Sequence, residues 1–287
     1  VPHIMTYSSA HERLYFGYST GEITYVDLNN IGAEQRLLSL AMRVNALASA
    51  GDYLLAQDSS GAWGSHYVIN SEGTITDSKE WQYASNSYLW NDSNSRVFLS
   101  GPEYKEIDQT SGEITADSSG HSYHGSSSNG VLLASVVEGQ FIVTDNGSVF
   151  STDTLELEHS LRDTFVGVVD FDDVLVAAVV NSDDSSALNI YNNDDFGLED
   201  SIAVGNQILT IHKYNNTLLS VSMTNNEYVY TMHEFGDADA DMMPTWWENK
   251  HQLDDNNAED SAHDKLAALR AEQEKVAAAA VAAAHHR

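Results

Sequence analysis

The chain has 287 residues, 43 acidic against 13 basic, and a formal charge of −30. Phosphate neutralisation needs clustered Lys and Arg, so this balance excludes nucleic acid as a partner and argues against docking on anionic lipid. The absence of cysteine excludes disulfide scaffolds, thiolate metal sites and cysteine nucleophiles, while 42% apolar and 20% charged residues describe a folding chain, not an acidic disordered one. No apolar run reaches the roughly 18 residues that span a membrane. The sequence opens on Val1 without a signal peptide, which reads as a processed N-terminus.

In chain order, a pair of short strands keeps returning. Arg13–Tyr18 is followed by a Ser-Thr-Gly turn and Ile23–Leu28. Tyr53–Ala56 precedes Gly61 and His66–Ile69, and Arg96–Leu99 precedes Tyr104–Asp108 with the turn Thr110-Ser111-Gly112. Val131–Val137 leads to Phe141–Val143, Val174–Val180 to Leu188–Tyr191, and Leu218–Ser222 to Tyr228–Tyr230. The apolar members begin near residues 14, 54, 97, 131, 174 and 218, at steps of 40, 43, 34, 43 and 44. A period near 40 with about four short strands per unit predicts β-propeller blades, because one four-stranded sheet cannot bury both faces alone. Proline agrees, with only Pro2 and Pro102 before residue 240, since it cannot donate to a ladder. The turns use Asn, Asp, Ser and Gly instead, as in Asn91-Asp92-Ser93-Asn94 and Asn192-Asn193-Asp194-Asp195.

The predicted fold class is therefore all-β: a six-bladed β-propeller over residues 1–235. A seventh blade has room only in the diverged stretch 115–165, and a β-sandwich or solenoid with accidental spacing is the alternative. Apolar runs such as Val174–Val180 are expected to be the inner strands, and alternating ones such as Ile23–Asp27 the outer strands.

Several segments carry a resemblance. They are Arg13–Ser19, Gly21–Leu28, Gly61–Tyr67, Glu106–Ile114 and Tyr123-His124-Gly125. Together they resemble a propeller module of large secreted proteins of Gram-negative bacteria, and more broadly the YVTN-type surface-layer propellers. The resemblance covers about 40% of the chain. It implies an exported protein, extracellular or at the cell surface, and names no ligand.

Beyond the repeat, residues 236–258 predict a calcium-binding loop and short helix. Asp237, Asp239, Asp241 and Glu248 stand at positions 1, 3, 5 and 12 of a twelve-residue loop, the ligand spacing of an EF-hand-type site. Met243 would add its backbone carbonyl at position 7, and Pro244 suits the first turn of the helix that carries Glu248. Met243-Pro244-Thr245-Trp246-Trp247-Glu248 and Leu253–Ala258 also resemble the thrombospondin type 3-like calcium repeats of bacterial exported proteins. Met242 departs from that pattern, which has Gly there to allow positive φ. A second loop from Asp260 holds Ala262 and Ala271 in place of ligands, and Lys265 in place of the glycine. One calcium ion is expected.

Residues 259–287 predict an alanine-rich helix. Ser261 with Asp264 suits its N-cap. Ala262, Leu266, Leu269, Gln273, Val276, Ala280 and Ala283 step by 4 and 3 alternately, a seam of about 3.5-residue period. A helix over 261–284 would be about 36 Å long. Such a thin face suits close packing, either on a neighbouring copy of the chain or back on its own propeller.

No Gly-x-Ser-x-Gly elbow, His-Glu-x-x-His helix or Walker loop occurs, so the chain reads as non-enzymatic. A carboxylate pair of glycosidase type can be neither located nor dismissed among so many acids. His121 and His124 form a loop pair that lacks a third metal ligand nearby. Asp170, Asp172 and Asp173 make an acidic cluster typical of a solvated turn. The aromatics Trp63, Trp81, Tyr83, Tyr88 and Trp90 suit either blade packing or a sugar-binding surface. Three readings follow. The first is a calcium-stabilised structural or adhesive subunit of a cell-surface assembly or filament, self-associating through its C-terminal helix. The second is a glycan- or protein-binding propeller module, and the third a propeller hydrolase or lyase.

Overall fold

The computed structural model describes residues 1–61, 63–85, 87–99, 103–118, 130–171, 174–181, 185–224 and 227–235. It divides into two compact units, Val1–Gly205 and the chain from Asn206 onward. The first unit holds five four-stranded antiparallel meanders. The first sheet is β1 (Ile4–Ser8), β2 (Arg13–Gly17), β3 (Glu22–Asp27) and β4 (Gln35–Ser39). The second is β5 (Val44–Ala50), β6 (Tyr53–Ser59), β7 (Trp63–Ile69) and β8 (Ile75–Tyr83). The third is β9 (Tyr88–Asn91), β10 (Arg96–Leu99), β11 (Glu103–Ile107) and β12 (Ile114–Asp117). The fourth is β13 (Leu132–Val136), β14 (Phe141–Thr144), β15 (Ser148–Ser151) and β16 (Leu157–Ser160). The fifth is β17 (Phe165–Phe171), β18 (Val174–Val180), β19 (Ser186–Asn192) and β20 (Leu198–Val204).

Each sheet touches the next through its leading strand, β1 on β5, β5 on β9, β9 on β13 and β13 on β17. The apolar clusters lie between sheets. Tyr15 and Ile23 of the first pack with Val44 and Leu54 of the second. Leu55 and Val68 of the second pack with Val97 and Ile107 of the third. Phe98 meets Leu132 and Ile142, and Val143 and Val149 meet Phe165 and Leu175. Each such side chain, fully buried, contributes about 1.5–3 kcal/mol, and no single sheet could supply both walls. These stacked meanders are propeller-like, and among its described residues the unit is all-β apart from one 3-10 turn, Asp92–Asn94.

Strand order corrects two sequence expectations. Val174–Val180 is β18, the second strand of its sheet, buried over Val174–Val179 and paired along its two edges with β17 and β19. Val131–Val137 coincides with β13, a leading strand, so the fourth repeat was phased one strand early. Counted on leading strands, which begin at 4, 44, 88, 132, 165 and 207, the steps are 40, 44, 44, 33 and 42. The short step falls between the fourth and fifth sheets. The stretch 115–165 is taken up by β12 and the whole fourth sheet, and among the described residues it holds no further blade.

The repeat extends to the turns between third and fourth strands. Gly112 N–H reaches Asp108 O, Leu155 N–H reaches Ser151 O, and Phe196 N–H reaches Asn192 O, at 2.8, 3.0 and 3.0 Å. The closing residues all have positive φ, 71°, 60° and 56°. Left-handed backbone is unfavourable for Leu and Phe. Here both side chains enter the core, 9% and 5% exposed, and that burial offsets the strain.

The second unit is described over its three-stranded sheet, β21 (Gln207–Tyr214), β22 (Thr217–Thr224) and β23 (Glu227–Glu234). Ile208, Ile211 and Leu218 are buried, while Tyr228, Tyr230 and Met232 are exposed. Phe235 N–H closes it on Asn216 O at 2.9 Å. The predicted calcium ligands Asp237, Asp239, Asp241, Met243 and Glu248, the C-terminal helix, and the pair His121 and His124 lie outside the described residues. No helix among the described residues is long and apolar enough to cross a membrane.

Candidate ligand-binding groove

In a four-stranded meander the turns between strands one and two, and between three and four, leave from the same end of the sheet. At that end of the first unit three cavities adjoin. The first, about 700 Å³, has Met5 and Tyr7 of β1, Leu47 of β5, and Tyr88 and Trp90 of β9 as walls, with Asp52, Asp92 and Gln109 at its mouth. The second, about 470 Å³, shares Trp90 and Asp92 with the first and continues to Ser135 and Glu138. The third, about 500 Å³, shares Ser93, Glu138 and Gly139 with the second and adds Asn94, Asp153, Glu158 and His159. Shared walls make these one groove across the turns of the second, third and fourth sheets.

The groove's centre is fixed by short-range hydrogen bonding. Trp90 Nε1–H donates to Asp92 Oδ1 at 2.7 Å, which sets both the indole plane and the carboxylate. Asp92 opens the 3-10 turn, whose N-cap Asn91 accepts from Ser93 N–H at 3.0 Å and Ser93 Oγ–H at 2.7 Å. The other end of the Asn91 amide donates to Gly139 O at 2.6 Å, tying this turn to the β13–β14 turn. A Cβ on Gly139 would strike Asn91 Oδ1, so the close approach requires glycine. Beside it, Val137 and Glu138 have φ of 52° and 54°. A β-branched residue in that region is an outlier, held where neighbouring structure over-determines the backbone. Here Val137 N–H donates to Asp170 Oδ2 of β17 at 2.9 Å.

Behind the first cavity runs a buried polar chain. His66 and Gln57 are fully buried. The Gln57 amide donates to His66 Nε2 at 3.0 Å and its oxygen accepts from Ser85 N–H at 2.7 Å. That leaves His66 Nδ1–H to donate to the Tyr88 hydroxyl. Burial pushes the Tyr88 hydroxyl well above the ordinary phenol range, and the nearby Asp58 carboxylate adds to this. The ring that lines the cavity is thus anchored in the core.

The lining contains five carboxylates, Asp52, Asp92, Glu138, Asp153 and Glu158, and no Lys or Arg. Asn94 Oδ1 and Ser135 Oγ are buried without a hydrogen-bond partner. Among the described residues, no group of three or more His, Asp or Glu is placed to hold a metal. The arrangement combines apolar side chains, an oriented indole and several acceptors, the composition expected of a binding cleft.

Of the aromatics picked out in the sequence, Tyr88 and Trp90 come together on this groove. Trp63 and Trp81, on the outer strands of the second sheet, are 50% and 79% exposed, and Trp81 has a positive φ of 56° where β8 bulges opposite β7. Tyr83 pairs with Trp63 across those strands. In the acidic cluster, Asp170 supports the Val137 turn, while Asp172 and Asp173 lie outside the described residues. Glu138, Asp153 and Glu158 were not foreseen. They lie 48 to 68 residues from Trp90, two in turns and Glu158 on β16, and look like any other surface acids.

No protein-family profile and no curated protein matches the sequence. Solved structures do, and 1062 chains are similar, which identifies a common architecture. The WD40 β-propeller domain of Doa1 superimposes with a TM-score of 0.54 at 14% identity, over 80% of this chain and 77% of that one. Dihydro-heme d1 dehydrogenase NirN, solved in complex with DHE, gives a TM-score of 0.56 at 12% identity, over 81% of this chain. The chain spans about half of NirN, 54%. At these identities the likeness shows the fold alone: the chain is similar to β-propellers.

Proposed function

We propose that this chain is an extracellular, non-enzymatic β-propeller module that binds a partner in the groove centred on Trp90. Each of its six sheets is a propeller blade, five in the first unit and one in the second. The observation that carries the reading is the Trp90–Asp92 pair, an indole and a carboxylate locked together at 2.7 Å on a wall common to two cavities. Support for export comes from the resemblance of residues 14–125 to secreted propeller modules. The test is an array of glycans and peptides probed with the wild-type chain and with Trp90→Ala. Ligands captured by the wild type and lost from the variant are expected. Identical profiles would remove the groove as the binding site.

The module is also adhesive or structural in this reading. Residues 237–248 take one calcium ion in the chelating order of their carboxylates, and the alanine-rich segment after it self-associates. Calorimetry should give calcium-dependent heat that Asp239→Ala abolishes. Light scattering should give calcium-dependent particles that disappear on truncation after Asn257. A chain that takes up no calcium, or stays monomeric with it, removes the corresponding part. Extracellular sites of this kind bind at about 10⁻⁴–10⁻³ M, which sets the titration range.

A further inference from the structure

We infer that the groove's ligand is a basic segment of a partner protein, with an arginine side chain stacked on the Trp90 ring and bonded to the second oxygen of the Asp92 carboxylate. The inference rests on the groove reading above and adds the chemistry of the ligand. Carboxylates accept hydrogen bonds and cannot donate, and five of them border this groove with no Lys or Arg to neutralise them. A guanidinium is their complement, with five N–H donors and no acceptor. A phosphate or uronate would meet only repulsion. A neutral sugar would donate hydroxyl hydrogens to these carboxylates but leave their five charges uncompensated.

The aromatic component points the same way. A guanidinium stacks on an aromatic face and bonds carboxylates in its own plane. The chain stacks a guanidinium on a ring internally, with Arg13 over the Tyr25 ring and Arg96 over the Tyr104 ring, each 4.2 Å from the centroid, and Arg96 also bonds the Glu106 carboxylate at 3.3 Å. Trp90 is the third such platform. Its indole N–H is occupied by Asp92 Oδ1, which leaves the carboxylate's second oxygen for the incoming cation. Beyond Trp90 the groove continues past Glu138 to Asp153 and Glu158, so an extended chain with further basic residues would meet acceptors along its length. With a net charge of −30 and apolar walls to concentrate the field, a cationic segment would also be drawn in over distance.

The probes are two end-blocked heptapeptides, Ala-Gly-Ala-Arg-Ala-Gly-Ala and its citrulline counterpart, which keeps the shape and loses the charge. A set of neutral oligosaccharides serves as the rival class. Binding to the full chain is measured by fluorescence anisotropy at low and high salt. The arginine peptide should bind about tenfold tighter than the citrulline peptide. Trp90→Ala and Asp92→Asn should each abolish that preference, and Trp90→Phe should keep part of it. Glu199→Gln, an exposed charge on β20, should leave it unchanged. Asp92 is itself exposed, so Asp92→Asn stays informative if Trp90→Ala unfolds. Equal binding of the two peptides overturns the inference. So does a preference that Trp90→Ala and Glu199→Gln affect alike, which would be general attraction to an acidic protein. Trp90-dependent capture of an oligosaccharide without arginine preference would overturn the ligand class and leave the groove standing. Binding of every probe unchanged by Trp90→Ala would remove both.

Discussion

His66 and Tyr88 meet inside the first unit, the imidazole Nδ1–H donating to the phenol oxygen, although they belong to different sheets and lie 22 residues apart. The bond links the fully buried Gln57–His66 pair to a ring that walls the groove. Tyr88→Phe keeps the ring and removes only the oxygen. It should destabilise the unit by about 1–2 kcal/mol, because a buried imidazole then loses one of its partners. The check is a lower urea midpoint with an unchanged slope. A midpoint equal to wild type would mean that the hydroxyl is dispensable to the core.

Two glycines hold equivalent places in different sheets. Gly21, with φ of 86°, accepts Leu40 N–H at 2.9 Å, and Gly147, with φ of 78°, accepts Leu161 N–H at 2.8 Å. Each sits in the turn between second and third strands, beneath the connection to the next sheet. A Cβ on Gly21 would stand 2.5 Å from Leu40 O and 2.6 Å from Met42 O, and one on Gly147 would strike Leu161 O. Backbone carbonyls cannot swing aside as a flexible side chain can. Gly21→Ala and Gly147→Ala should each cost about 2–3 kcal/mol. Gly61→Ala, with nothing within 4 Å of its added Cβ, should stay within about 0.5 kcal/mol. Equal losses at all three positions, measured by chemical unfolding, would refute the packing argument.

Among the described residues Lys105 is the most deeply buried Lys or Arg, 2% exposed. Its ammonium donates to Gln82 Oε1 at 2.5 Å and to Asp117 Oδ2 at 3.1 Å, joining β11 to β12 and to β8 of the preceding sheet. Burial lowers its pKa, and the Asp117 carboxylate pulls against that. Lys105→Ala leaves both a cavity and a carboxylate with access to solvent, 19% exposed, and should cost about 3 kcal/mol. Lys105→Met fills the volume without the charge. Paired with Asp117→Asn it should recover most of the loss, since a buried ion pair often contributes little net stability. Failure of the double variant to recover would show that the charges, not the packing, hold the two sheets.

The period of the fold is legible in the sequence because second strands such as Leu54–Ala56 and Val174–Val179 are buried on both faces and read as unbroken apolar runs. Phase is less legible. β13 is nearly as apolar as β18, yet Leu133, Ala134 and Ser135 are only half-buried, and composition does not separate a leading strand from a second strand. The groove is the least legible feature. Tyr88 and Trp90 stand out as aromatics, but Glu138, Asp153 and Glu158 join them only when three sheets stack. The short-range rule that Asn, Asp and Ser make the turns holds at many of them, though not at Val137-Glu138-Gly139. Asn91, Asp108 and Asn192 each accept a backbone N–H two residues ahead, at 3.0, 2.9 and 2.7 Å. It does not reveal which of those turns borders a cavity.

The same turn chemistry gives a pH signature. Asp108 accepts the N–H groups of Ser111 and Thr110 at 2.7 and 2.9 Å, and these bonds hold its carboxyl below the ordinary value of 3.8. The folded chain therefore binds this proton more weakly than the unfolded chain. Asp108 contributes stability that is present above the unfolded value and is lost as pH falls through the lowered folded value. Glu103 runs the other way. Burial raises its carboxyl above 4.5, with Lys105 opposing and Asp117 reinforcing the shift. The folded chain retains that proton longer, so stability falls as pH rises from 4.5 through the raised value. Asp108→Asn keeps an acceptor oxygen for the turn and removes the charge. Its deficit relative to wild type should be present at neutral pH and shrink as the medium becomes acid. Glu103→Gln should instead gain on wild type as pH rises through the raised Glu103 value. Unfolding curves across the acid range measure both, and an Asp108→Asn deficit that does not change with pH would show that the turn needs only the oxygen and not its charge.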